Sequence, residues 1–429
     1  MNNFIFLESS AVLGSYDVII AASVIIILSF FFNMISKATS IPSVLLLIVL
    51  GVILKVGLDA KGVDINFRPY LEVLGIVGLI MIVLEAALEL KLERNKLMPI
   101  LIAFILALVG LLASTFVAVL ILKQFIPDIT NQQAWLYATP LSILSSAIII
   151  PSVNDLRKDK KEFHIYESTF SDILGIMMFY FLTGNIEQEA GGQSLIGFSG
   201  NIVLTIVLSL VASYAIVLIF QNIKSHVKLF LLIAILLLLY AIGKKMHLSS
   251  LIIILIFGLL IANMELFFGG RLRKHLNLKK AQHIYEELHI ITLETAFVIR
   301  TFFFVIFGVT ISLVTLLDLD VAIVSMLIIA SIYVIRFIML RITIGKDIMP
   351  QIYIAPRGLI TILLFYNIPK AVELKSFNPG ILLFVIIGTS MIMTAAMIFE
   401  KKRSGSAISK AKSIAVGSVK WKAPTIDSE

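Results

Sequence analysis

Seven ionisable residues lie inside stretches that are otherwise almost wholly apolar: Glu85, Glu167, Asp172, Glu294, Arg300, Arg336 and Arg357. Each costs a few kcal/mol, on the order of 3, if it faces hydrocarbon, so each needs a reason to be there. Asp172 is the most demanding. A helix entering a bilayer near Phe163 carries Asp172 roughly 14 Å inward, close to the middle of a core about 30 Å thick. A lone carboxylate at that depth is relieved by a proton or by a stripped monovalent cation, but not by both at once. A group that holds either in turn couples the movement of the two. Other chemistries lack their parts. With no cysteine there is no thiol nucleophile or thiolate metal site. The six histidines show no metal-ligand spacing. An intramembrane aspartyl protease needs a second facing aspartate in a Gly-x-Gly-Asp context, and a potassium channel needs a glycine-rich selectivity loop; the chain has neither.

Glu167 precedes Asp172 by five residues, which places them about 140° apart around a helix. They serve different faces. Glu167 lies about 6 Å deep and Arg357 about 9 Å deep by the same rise per residue, which predicts a structural Glu167–Arg357 ion pair. Arg300 cannot lose its proton and needs a permanent acceptor. Glu294 is on the wrong side of the same helix, so helix-end carbonyls or another span must serve. Glu85 and Glu89 share a helix face, and Glu85 is placed to line an inner funnel. Arg336 is expected to snorkel to the inner face. His164, near the start of the Asp172 segment, is a candidate modulator of pH response.

The surrounding composition fixes the class. Of 429 residues, 59% are hydrophobic and 14% charged, too little polar surface for a water-soluble fold of this size. The periodicity predicts an all-α polytopic membrane protein with thirteen spans: 16–36, 41–58, 70–90, 97–123, 134–153, 163–184, 198–222, 228–245, 248–267, 286–313, 319–343, 351–370 and 378–399. With the N-terminus outside, Lys and Arg favour the inside segments by about three to one, which predicts a cytoplasmic C-terminus. This asymmetry accounts for the net charge of +8 without nucleic acid. No basic stretch precedes the first apolar run, so no cleaved signal is expected. The tail from Lys401 is basic and serine-rich and is expected to be an unstructured anchor on lipid.

Two segments repeat. Ser43 precedes Gly51 by eight residues, and Ser250 precedes Gly258 by eight. The copies are seven spans apart, an odd number, so they run in opposite directions. This predicts an inverted repeat of spans 1–6 and 8–13, typical of secondary transporters. Each repeat carries a break in its fifth span. Pro140 and Pro151 bracket Ser142, Ser145 and Ser146 in the first; Pro356 and Gly358 interrupt the second.

These residues resemble the monovalent cation/proton antiporter superfamily, and its sodium/proton exchanger branch in particular. The run Glu167-Ser-Thr-Phe-Ser-Asp172 is similar to the family's Glu-Ser-x-x-Asn-Asp motif. Arg357-Gly358 is similar to its Arg-Gly motif, Pro42 to Gly51 to its span-two pattern, and Ala87-Leu-Glu-Leu90 to its span-three ending. The resemblance implies that Asp172 carries the ion. It implies ion-site oxygens from Ser171, Ser145, Ser146 and Thr139, a Glu167–Arg357 pair, and Arg300, Glu294 and Glu85 as funnel or core charges. It implies sodium, potassium or lithium exchanged for protons across the cell membrane, no cofactor, lipid surroundings and a homodimer. Residues 1–96 and 228–316 would form the dimerisation helices, 97–184 and 317–399 the moving core, 185–227 a connector and 400–429 a cytoplasmic tail. Two departures stand out: Ser171 replaces the asparagine or second aspartate, and the first break has no carboxylate. The alternative is a sodium-coupled solute symporter on a related inverted-repeat fold.

Overall fold

The computed structural model describes residues 15–39, 41–60, 68–92, 96–153, 156–186, 195–223, 228–245, 250–267, 277–310, 315, 318–345, 347–374 and 376–417. Among them every regular element is a helix. In chain order these are α1 (Ser15–Thr39), α2 (Ser43–Ala60), α3 (Arg68–Glu89), α4 (Leu97–Phe125), α5 (Asn131–Ser142), α6 (Ser146–Ser152), α7 (Lys158–Ile186), α8 (Leu195–Phe220), α9 (Lys228–Lys245), α10 (Ser250–Ala262), α11 (Met264–Phe267), α12 (Leu278–Thr310), α13 (Leu319–Thr343), α14 (Leu359–Tyr366) and α15 (Gly380–Gly417). Seven described segments are long and apolar enough to cross a membrane, among them α1, α2, α4 and α13. The helices follow the apolar spans closely. The tail differs from expectation: α15 continues as helix to Gly417, and residues 418–429 lie outside the described residues.

The sequence places helix ends where it supplies substitutes for missing backbone bonds. Thr130 and Gln133 form a reciprocal capping box that starts α5, and the Asp318 side chain caps α13. Two sets of helices pack around the chain. In one, α12 lies on α2 and α3, and α10 lies on α3, α8 and α9; in the other, α4 lies on α5, α7 and α13, and α13 lies on α15. The sets meet where α3 touches α7 and α14. An aromatic cluster fixes the far end of the second set. Tyr137 of α5 lies 5.9 Å from Phe365 of α14 and 4.6 Å from Phe377, and its hydroxyl accepts from the Leu374 N–H at 2.8 Å.

The glycines of the repeated pattern mark the closest helix crossings in the first set. Gly51 of α2 faces the Val305 carbonyl and Gly308 of α12, and Gly308 faces the Ile48 carbonyl. Gly258 of α10 faces Leu84 and Ala87 of α3. A methyl group at Gly51 or Gly308 would collide with backbone, which cannot swing aside. Gly51→Ala and Gly308→Ala are therefore expected to destabilise by about 1–3 kcal/mol through overpacking, read as a lower thermal-unfolding midpoint in detergent. Gly57→Ala, whose new methyl meets nothing within 4 Å, is expected to leave the midpoint unchanged or raise it slightly, since alanine favours the helix.

Candidate ion-binding site

At the first break three backbone N–H groups, at residues 144–146, turn to acceptors on other elements, as buried backbone donors require. The Leu144 N–H donates to Ser171 Oγ at 3.0 Å. The Ser145 N–H donates to the Pro356 carbonyl at 3.0 Å. The Ser146 N–H donates to Asp172 Oδ2 at 3.2 Å. Two of the three acceptors come from α7 and one from the second break. That break is non-helical at residues 354–358. There the Arg357 N–H donates to Thr389 Oγ1 of α15 at 3.0 Å. Its side chain reaches back to the first break, Nε donating to the Leu141 carbonyl at 2.9 Å, while Nη1 donates to Ala355 O at 3.0 Å. Gly358 lies against Ser145 so closely that an added Cβ would strike its side chain. The two breaks thus cross in contact, and α7 holds one of them.

Asp172 is 1% exposed. Its Oδ2 is fixed by the Ser146 N–H, and its Oδ1 is buried with no hydrogen-bond partner among the described residues. A carboxylate with one fixed and one unclaimed oxygen fits a small exchangeable ion. A cavity of about 220 Å³ reaches Ser146 from the side of α1, α2, α3 and α12 and is lined by Glu85, Glu89, Arg300 and Pro151. A smaller one of about 30 Å³ lies on the other flank, lined by Ser114, Ser142, Ser171, Glu167, Arg336 and Arg357.

The expected Glu167–Arg357 pair does not form. Glu167 instead accepts a two-pronged contact from Arg336, with Nη1 to Oε1 at 2.8 Å and Nη2 to Oε2 at 2.9 Å, and Arg357 is held by carbonyls. Arg336 does not snorkel: it is 7% exposed, and its Nε donates to the Gln351 carbonyl at 2.9 Å. The reason is azimuth. Val321, Val324, Ser325, Ile328, Ile329, Ile332, Arg336 and Leu340 form the buried stripe of α13, and the three- and four-residue spacing of its apolar members is the signal that could have placed Arg336 inward. His164 is fully buried, with Nδ1 3.2 Å from Glu167 Oε2. Arg300 finds its acceptor on another span, its Nη1 donating to Glu85 Oε2 at 2.9 Å. Glu294 is exposed and is not a core charge here. Thr139 Oγ1 donates to the Trp135 carbonyl on its own helix at 2.7 Å. Outside the spans, Lys160 donates to Asp347 at 2.9 Å and to the Met349 carbonyl at 2.7 Å. That ammonium holds the Asp347 carboxyl below its usual range and ties the start of α7 to the segment before the second break.

A polytopic helical fold in which two interrupted helices cross beside a buried aspartate is the architecture of a secondary transporter. The transmembrane family model of the sodium/hydrogen exchangers matches residues 20–400, and the chain belongs to that family. The structure is similar to that of the sodium proton antiporter MjNhaP1 from Methanocaldococcus jannaschii at pH 8, with a TM-score of 0.67, 20% identity, and coverage of 90% of this chain and 97% of that one. An electron-microscopy structure of the same antiporter gives a TM-score of 0.63 at 20% identity, covering 95% and 100% of the two chains. No curated protein sequence matches.

The Glu167–Arg336 pair makes a direct prediction. Removing one partner strands a buried charge, at a cost of around 3–5 kcal/mol. Glu167→Ala and Arg336→Ala should each lower the unfolding midpoint markedly, and the double variant should lose less than the sum. Strict additivity would show that the two side chains are not coupled.

Proposed function

We propose that this protein is a secondary active antiporter that exchanges sodium, or potassium or lithium, for protons at Asp172. The observation that carries the reading is the divided state of that carboxylate. One oxygen is held by the Ser146 N–H and the other has no hydrogen-bond partner among the described residues. A proton on Asp172 and a cation beside it neutralise the same charge, so binding one expels the other. The hydroxyls of Ser145, Ser146 and Ser171 and the break carbonyls supply further oxygens for a stripped cation; Thr139 is the more distant contributor.

The thirteen-span inverted repeat belongs to the same reading. Its support is reciprocity. Gly51 of the second span meets the tenth, and Gly258 of the ninth meets the third, as a repeat of seven-span offset requires. Residues 1–96 and 228–316 act as the static, dimerising half, with 185–227 as connector. Residues 97–184 and 317–399 act as the moving core that carries Asp172 in alternating access. The N-terminus lies outside the cell membrane and the 400–429 tail lies in the cytoplasm, in keeping with the basic-residue asymmetry. The 220 Å³ cavity then opens to the cytoplasm.

With one titrating carboxylate at the site and Ser171 in place of a second, the exchange is electroneutral, one proton per cation. Asp172→Asn keeps size and folding but cannot ionise. It is expected to abolish sodium-driven proton movement in proteoliposomes, and near-normal exchange by that variant would overturn the assignment. In the wild type, with potential clamped by a potassium gradient and valinomycin, the exchange rate is expected to be equal at zero and at strongly negative potential. A clear dependence on potential would show that a second charge travels.

A further inference from the structure

The contact between Arg300 and Glu85 lies away from the crossing of the two breaks, on the wall of the cavity that reaches Ser146. Glu85 comes from α3 and Arg300 from α12, so the pair bridges two helices of the same packed set. The guanidinium contacts the carboxylate through Nη1 at 2.9 Å, and the two side chains remain 21% and 10% exposed. This differs from the Glu167–Arg336 pair, which is two-pronged and nearly sealed at 3% and 8%. A single-pronged pair on a cavity wall is held less firmly than a sealed two-pronged one, because groups entering the cavity can compete for its partners. Glu89 lies one helical turn from Glu85 and lines the same cavity. The wall therefore presents two carboxylates and one permanent cation, since arginine keeps its proton at every working pH. The same cavity is lined by Ser146, whose N–H holds Asp172.

We propose that Arg300 is a resident counter-cation that sets the apparent affinity of the protein for its transported cation. It occupies Glu85 at rest, and an arriving monovalent cation must take its place before moving on to Asp172. Competition by a tethered cation raises the concentration of free cation needed to half-saturate transport and leaves the step at Asp172 unaltered. This inference rests on the reading of Asp172 as the exchange site and adds a determinant outside it.

The test is the sodium KM of proton movement in proteoliposomes, with kcat measured in parallel. Arg300→Gln removes the competitor and leaves Glu85 free, so KM should fall roughly 1.5- to fivefold, the range set by a partly exposed ion pair. Glu85→Gln leaves the guanidinium alone in the cavity, so KM should rise by a similar factor. The double variant has no stranded charge and should fall between them. Any two of the three establish the order, which covers the failure of one single variant to fold. Active variants that share the wild-type KM and differ only in kcat or in protein yield would make the pair a structural brace and overturn the proposal. Loss of the underlying reading is distinguishable, because it requires exchange to survive in Asp172→Asn.

Discussion

The structure turns on one constraint: backbone N–H groups freed inside an apolar fold must be satisfied by something. At the first interruption, between α5 and α6, three of them are taken by Ser171, by Pro356 and by Asp172. That solution determines which elements must touch. It draws α7 against the interruption, brings the second interruption across it, and fixes one oxygen of Asp172. A continuous helix would have no such donors to offer, and Asp172 would have no fixed orientation. The interruption that frees backbone donors is therefore the same feature that holds the Asp172 carboxylate in place.

Charge placement follows from the same low-dielectric logic. Arg336 and Glu167 join α13 to α7 with both carboxylate oxygens engaged, and His164 lies against the same carboxylate. Arg357 has no carboxylate partner among the described residues and is held by the Leu141 and Ala355 carbonyls, which lie at the ends and edges of broken helices where carbonyls lack helical donors. Fixed charges are thus tied to scaffold, while Asp172, of the charged side chains at the crossing, keeps an oxygen with no partner among the described residues.

Much of this was legible in the residues. Apolar run lengths located the helices, and paired Pro and Gly residues located both interruptions. Depth along α7 set Asp172 apart from Glu167, and the angle between them placed the two on different faces. The pairing of Glu167 was not legible by depth, because a rise per residue puts Arg336 and Arg357 at comparable levels. Only the direction in which each arginine points separates them. For Arg336 that direction was available in the buried stripe of α13; for Arg357 it depends on a non-helical segment whose course no periodicity describes. The Glu85–Arg300 contact was likewise out of reach, since it depends on how α3 and α12 rotate against each other, as was the exposure of Glu294. The helical continuation of α15 past Lys401 runs against a composition rich in serine and lysine.

The central claim is that proton and cation compete for one carboxylate. Calorimetric titration of the purified protein with sodium, repeated in two buffers of different ionisation enthalpy, counts the protons released on binding. At a pH where the empty site is protonated, close to one proton is expected to be released per cation bound, with no coupled release from Asp172→Asn. Sodium binding without proton release, or equal release from the Asp172→Asn variant, would contradict it.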